Sequence, residues 1–293
     1  MERTREQAGA EPEREGGMQV KTSVAGRAVS YVSAYMFALV SLYPIVLMIL
    51  SSFKTNREIF ASPLSLPQSF GFATYRKLWE AVPFADFLLN SVLVSGMSVL
   101  MITVFSAMAA FYLSRFSYRW TGALYFFFII GLMIPIKLGI VPLFLLMKNF
   151  GLLNSLWSLI LIYTASGIPI SVFILTGFFR TLPVELEEAA RIDGCSHFQV
   201  FWRVLLPLIR PALATVVIIN FIHAWNDFFF PLIFIQEDAL KTIPVGMMVL
   251  FGEYETDWSL LFAGLTLSAL PMIVVFLLAS RQFMEGLTAG AVK

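Results

Sequence analysis

The sequence predicts an all-α integral membrane protein with six transmembrane helices and both termini cytoplasmic. Three observations carry that expectation. Of the 293 residues, 58% are hydrophobic and only 13% charged, with a mean hydropathy of +0.80, too little charge for a soluble domain of this length. Six stretches, at roughly 29–52, 87–112, 121–146, 156–179, 212–234 and 259–280, each meet the requirement of about 20 apolar residues for a bilayer core about 30 Å thick. Lys and Arg also fall unevenly between the loops. Lys21, Arg27, Arg115, Arg119, Arg180, Arg191, Arg203, Arg210, Arg281 and Lys293 lie on one side, whereas Lys54, Arg57, Arg76, Lys77, Lys148 and Lys241 lie on the other. The richer side is cytoplasmic by the positive-inside rule.

Residues 1–27 mix five basic with five acidic residues and few large apolar ones, which predicts a disordered cytoplasmic tail. The apolar run that follows exceeds the 7–15 residues or so of a secretory signal core, so it is expected to remain as the first span. The next loop, 53–86, is long enough for a small amphipathic helix around 75–81. The second span places Ser91 with Ser95, and Ser106 with Ala110, at the small-xxx-small spacing that lets helices approach. Pro135 and Pro142 are expected to interrupt the third span, and Ser166-Gly167-Ile168-Pro169 the fourth. Lys137 falls roughly 24 Å above the inner end of its helix at about 1.5 Å per residue, and is expected to snorkel to the outer interface.

Between the fourth and fifth spans lies a charged island, ELEEAARIDGCSHFQVFWRVLLPLIRP, residues 185–211. Thr181 is an N-cap candidate with Pro183 in the first turn, and Glu185, Glu187 and Glu188 sit near the positive end of the dipole. A helix over about 183–192 is predicted, closed by Gly194 in left-handed backbone. Ser196 and Gln199 have capping-box spacing, so a second helix starts at once. On it Phe198, Phe201, Trp202 and Leu205 recur at i, i+3, i+4, i+7 and predict one apolar face. By periodicity alone that face rests on membrane lipid or docks a partner.

Glu188, Ala189, Ala190, three residues, Gly194, nine residues, then Val204, Leu205, Leu206 and Pro207 resemble the E-A-A-x3-G-x9-I-x-L-P signature of transmembrane subunits of binding-protein-dependent ABC importers. Val204 departs from its Ile, a volume-close swap. The similarity extends through SSFKTNREIF, NSVLVSG, GIPISVFILTGFFRTLPVELEEAARIDG, AWNDFFFPLIF and GLTAGAVK, which look like sugar-importing permeases of the maltose-transporter G-subunit type. That resemblance implies a six-span permease domain over 28–285, with a cytoplasmic coupling loop over 180–211 that docks a nucleotide-binding ATPase. Glu188, Ala189, Ala190, Arg191, Asp193, Gly194, Phe198, Phe201, Trp202, Leu206 and Pro207 carry the docking. It also implies a cytoplasmic tail over 286–293, with Gly286, Gly290 and Lys293, that reaches the ATPase interface. The implied partners are a homologous second permease subunit, ATPase subunits, an extracytoplasmic sugar-binding protein and membrane lipid. The chain is then half of a heterodimeric pore in the cell membrane importing a sugar or oligosaccharide, with a non-sugar solute such as glycerol phosphate as the near alternative.

Asn220, His223 and Asp227 fall within about 60° of arc on the fifth span at about 100° per residue. This stripe either lines the translocation path or hydrogen-bonds to neighbouring helices. A self-sufficient secondary transporter using His223 and Asp227 as a proton relay is a rival, but it calls for internal repeats that the six spans do not display. Glu237, Asp238, Glu253, Glu255 and Asp257 make an acidic outer loop, a candidate contact for the binding protein or simply a solvated loop. The net charge of +1 gives no basic field for nucleic acid. Cys195 stands alone, which excludes an intrachain disulfide, and two histidines with no Cys/His cluster predict no metal. No G-x4-G-K-[ST] sequence and no nucleophile-base pair occurs, so the chain is expected to need no cofactor and to be no enzyme.

Overall fold

The computed structural model describes the backbone of residues 24–251 and 256–291 and the side chains of 28–251 and 256–280. It divides into two compact units, Met1–Leu47 and Met48–Lys293. The first holds most of α1 (Val24–Ser51), a helix that carries Pro44 in its interior. The expected disordered tail, residues 1–27, lies outside the described residues but for the first turn of α1.

In the second unit, a capping box between Thr55 and Glu58 starts α2 (Asn56–Ala61), and the amphipathic helix expected near 75–81 is α3 (Ala73–Ala81). Lys54 is only 1% exposed. Its Nζ donates to the carbonyls of Ser62 and Pro63 at 3.2 and 2.8 Å, so this cation closes a turn instead of reporting topology.

The second span is α4 (Phe84–Arg115), and the fourth is α7 (Leu156–Thr181). These two pack along their length because α4 turns its small residues inward: Ser91, Ser95, Ser98, Ser106 and Ala110 are all buried. The Ser98 hydroxyl donates to the Ile160 carbonyl at 3.4 Å.

The third span breaks as Pro135 predicts: α5 (Thr121–Met133) and the 3-10 turn Ile136–Gly139 with α6 (Ile140–Asn149) meet at 81°. Pro142 does not break it, because it sits in the first turn of α6, where its missing N–H has no intrahelical acceptor to lose. The expected interruption of the fourth span is also absent, since α7 runs straight through Pro169. Around that proline the Ser106 hydroxyl reaches the Ile168 carbonyl at 3.5 Å and the Ser171 hydroxyl reaches the Gly167 carbonyl at 2.7 Å. These bonds lie beside the proline, whereas the carbonyl its missing N–H leaves free is that of Ala165.

The fifth span, α11 (Arg210–Asn226), stops sooner than expected and resumes as the short α12 (Phe229–Phe234) beyond Asp227. After the turn α13 (Ile243–Gly246), the sixth span is α14 (Trp258–Ala291). Among the described residues four helices are long and apolar enough to cross a bilayer, or up to six if each of two bent pairs, Thr121–Met133 with Ile136–Asn149 and His197–Leu208 with Arg210–Asn226, counts as one span.

Gly167 is where α4, α7 and α11 converge. A Cβ there would collide with the Asn220 side chain and with Ile102. We expect Gly167→Val to destabilise the fold by about 1–3 kcal/mol through overpacking, read as a lower midpoint in detergent thermal melting. Gly177 on the same helix has nothing within 4 Å of its built Cβ, and Gly177→Ala should leave the midpoint near that of the parent.

At the start of α14, Asp257 accepts from the Ser259 hydroxyl at 2.7 Å and from the Leu260 N–H at 3.2 Å. Burial would raise its pKa, but these bonds together outweigh it and hold the carboxyl below its ordinary range. A depressed folded pKa contributes stability above the unfolded value that is lost as pH falls through the folded one. Asp257→Asn should therefore cost about 0.5–2 kcal/mol at neutral pH, as loss of a helix cap does, and the difference from the parent should vanish in melts below the carboxylate range.

Candidate functional site

The charged island folds as an elbow. Its first arm is α8 (Glu185–Ile192), with three carboxylates in the first turn and Arg191 in the last. Thr181 is not its cap: α7 extends through Thr181, whose hydroxyl donates back to the Phe178 carbonyl at 2.8 Å. Val184 takes the cap position with no side-chain bond, so the glutamates at the dipole's positive end do that work.

Gly194 adopts φ +85°, and the Cys195 N–H returns to the Ala190 carbonyl at 3.0 Å, a Schellman closure. Ser196 and Gln199 exchange both capping-box bonds at 3.3 and 2.8 Å. The second arm then runs through α9 (His197–Gln199), a π-helical turn over Val200–Leu205 and α10 (Leu206–Leu208). A 78° bend at Ile209 leads into α11.

The π-turn divides the apolar face expected on this arm. Its wider i→i+5 turn puts the four residues out of a single 3.6-period stripe. Phe201 and Leu205 point inward, 3% and 0% exposed, with the Phe201 ring 5.2 Å from Phe111 and 6.4 Å from Phe179. Phe198 and Trp202 point outward, 64% and 42% exposed, with their rings 6.1 Å apart.

Of the other sequence-selected residues, Ala190 is buried and Leu206 and Pro207 are half-buried. Glu188, Ala189, Arg191, Asp193 and Gly194 are exposed. Ile192, at 86%, joins Phe198 and Trp202 outside. The alternation of residues on α8 gives no strong signal for it.

The elbow's back is fastened to the spans. Arg115, at the end of α4, forms an ion pair with Glu187 and donates from Nη2 to the Leu182 carbonyl at 3.0 Å. Both charged side chains are largely buried, and such a pair fixes geometry more than it adds stability.

Asn220 and His223 lie on a groove of about 670 Å³, bounded by Phe127 and Phe128 of α5 and Gly167 of α7. Asn220 is buried, and its Nδ2 donates to the Ser171 hydroxyl at 2.9 Å and the Val216 carbonyl at 2.8 Å. His223 is exposed and meets the Tyr163 ring edge-on at 6.2 Å.

Asp227 does not share their stripe, since α11 ends at Asn226 and Asp227 has extended backbone. It is buried in the break, where Oδ2 accepts from the Tyr163 hydroxyl and the Phe230 N–H, both at 3.0 Å. Lys137 corrects a second expectation. Its Nζ stands 3.6 Å from Asp227 Oδ1 and 5.1 Å above the Phe229 ring, so it is paired and not only snorkelling.

One polar chain thus ties the bend of the third span to the break of the fifth. Tyr163 and Ser171, missed in the sequence, sit four residues either side of Gly167 on α7, facing Asn220 and Asp227.

In the acidic loop after the fifth span, Glu237 accepts from Asn154 Nδ2 at 3.2 Å and Asp238 pairs with Lys241. Glu253 and Glu255 lie outside the described residues. So does Lys293; Gly286 and Gly290 fall on the final helical turns of α14, whose side chains are not described.

Known proteins resemble this chain in sequence and in fold. A probable ABC transporter permease protein, YurM, of Bacillus subtilis is 37% identical over 92% of this chain and 89% of its own length. The diacetylchitobiose uptake system permease protein NgcG of Streptomyces coelicolor is 34% identical over 90% and 88%. A chain of a bacterial ABC transporter involved in import of the acidic polysaccharide alginate superposes with a TM-score of 0.77 over 89% of this chain and 98% of that one, at 22% identity. The family described as binding-protein-dependent transport system inner membrane component matches residues 100–285, and the chain belongs to that family.

Proposed function

We propose that this chain is the permease subunit of an ATP-driven importer for a sugar or oligosaccharide. It forms one half of a heterodimeric pore with a second, homologous permease. A separate ATPase docks on the elbow over 185–208 and hydrolyses the nucleotide, and an extracytoplasmic binding protein delivers the solute. Both termini and the elbow face the cytoplasm, in keeping with the Lys and Arg distribution. The sugar class rests on relatives such as the diacetylchitobiose uptake permease.

The observation that carries the reading is the two-sidedness of the elbow. Its inner side is locked to α4 and α7 by Phe201, Leu205 and the Arg115–Glu187 pair. Its outer side presents Ile192, Phe198 and Trp202 beside Glu188, Arg191 and Asp193. A ring of charge around exposed aromatic and aliphatic side chains is the anatomy of a protein interface. Its second arm turns directly into α11, which carries Asn220 and His223 to the groove. A push on the elbow therefore moves the lining of the translocation path. The C-terminal segment with Gly286, Gly290 and Lys293 completes contact with the ATPase pair.

The test is reconstitution. Proteoliposomes holding both permeases and the ATPase should accumulate labelled oligosaccharide only when ATP and the binding protein are present. Accumulation by this chain alone, driven by a proton gradient, would establish the secondary-transport alternative instead.

A further inference from the structure

The geometry points to an anionic phospholipid site between α3 and α14, with Arg76 and Lys77 holding the headgroup phosphate. A cavity of about 1170 Å³ opens there, larger than the groove beside Asn220. Tyr75, Arg76, Lys77 and Trp79 line it from α3, with Phe72 at that helix's N-cap. Thr266, Leu267 and Leu270 line it from α14.

The α14 wall belongs to a helix apolar enough to span a membrane, and Leu270 is exposed. It offers an acyl chain a path along the span. The α3 wall is aromatic and cationic, and Trp79 is half-exposed. Trp and Tyr concentrate at headgroup depth, and Lys and Arg there attract anionic lipid.

Among the described residues, neither Arg76 nor Lys77 forms an ion pair. Glu80, one turn along on the same cavity, pairs with neither of them. The inner face of α3 is meanwhile fixed: Leu78 is fully buried, and the Tyr75 hydroxyl is 2.6 Å from that of Ser52. The two cations thus outnumber the single Glu80 carboxylate at the mouth of an apolar slot, which suits a phosphodiester with an attached chain. An apolar protein helix seated there would leave both charges uncompensated.

The experiment is fluorescence quenching of the purified full-length chain by dibrominated phosphatidylglycerol or dibrominated phosphatidylcholine. A Trp79→Phe variant identifies the Trp79 component. We expect phosphatidylglycerol to quench that component at about thirtyfold lower lipid fraction than phosphatidylcholine, from two cations acting on one phosphate. The preference should disappear in R76Q/K77Q and increase in Glu80→Gln, and inorganic phosphate should not displace the lipid. Equal quenching by both lipids, a preference that survives R76Q/K77Q, displacement by inorganic phosphate, or a Trp79 component quenched by neither lipid would each overturn the assignment. Should R76Q/K77Q fail to fold, an unchanged phosphatidylglycerol preference in Glu80→Gln would overturn it alone.

Discussion

Truncating Phe198 and Trp202 together to alanine should abolish ATP-driven uptake while the chain still inserts, assembles with its partner permease and melts near the parent temperature. Both rings project outward from the elbow, and only Trp202 meets its buried side, edge-on to the Phe201 ring at 5.4 Å, so their loss removes docking area and less packing. Truncation of such a hot spot costs about 2 kcal/mol or more per residue, and about 4 kcal/mol for the pair corresponds to a dissociation constant roughly a thousandfold weaker.

Phe201→Ala, one residue away, has a different outcome. That ring fills the core between Phe111 and Phe179, and truncating a buried Phe costs about 3–5 kcal/mol of stability. Its signature is a lower melting midpoint, with uptake lost in proportion to folded protein. Measured side by side, ATPase affinity and melting midpoint separate the two. If Phe201→Ala spared stability but Phe198→Ala/Trp202→Ala did not, the inside and outside of the elbow would be reversed.

The second large effect belongs to Asp227. Replacing it with Ala takes away the acceptor of the Tyr163 hydroxyl and of the Phe230 N–H and strips Lys137 of its counter-charge. Leaving buried polar partners unsatisfied costs about 1–3 kcal/mol each, and the break between α11 and α12 loses the side chain that closes it. We expect Asp227→Ala to lower the melting midpoint sharply and to stop transport.

Lys137→Gln should cost far less, because the Lys137 side chain is 53% exposed and water screens its half of the pair. Asp227→Asn should fall between them, retaining an acceptor but no charge. A double-mutant cycle over Lys137→Gln and Asp227→Asn should return a coupling of about 0.2–1 kcal/mol. Zero coupling would show that the two helix breaks are not joined through this pair.

Much of this fold is legible without coordinates because its signals are local. Apolar length marks the spans, small-residue spacing marks the α4–α7 contact, and Gly194 with Ser196 and Gln199 marks the elbow to the residue. The elements that escape such reading are set by distant partners. Pro169 looks like a break, yet α7 passes through it, held along α4 by buried small residues, with Ser106 of α4 bonded to the Ile168 carbonyl. Asp227 looks like a continuation of the stripe through Asn220 and His223. It ends the helix because Tyr163 and Lys137, remote in sequence, give its carboxylate better partners in a break.

The same holds for the candidate site. Periodicity assigns Phe201 and Trp202 to one face, but a π-turn redistributes them, and no residue type announces that turn in advance. Ile192, the most exposed large hydrophobic side chain of the elbow, has no partner in the apolar pattern and is visible only once its surroundings are. Lys54 misleads in the opposite sense: as a charge it blurs the topology signal, whereas in the fold it is buried against two carbonyls.

The central claim is that the outer side of the elbow seats the ATPase. A photoreactive amino acid placed at Ile192 in the assembled transporter, irradiated in native membranes, tests it directly. The account predicts a cross-link to the ATPase subunit, absent when the same probe replaces the inward-facing Leu205; labelling of lipid alone, or the same product from both positions, would contradict it.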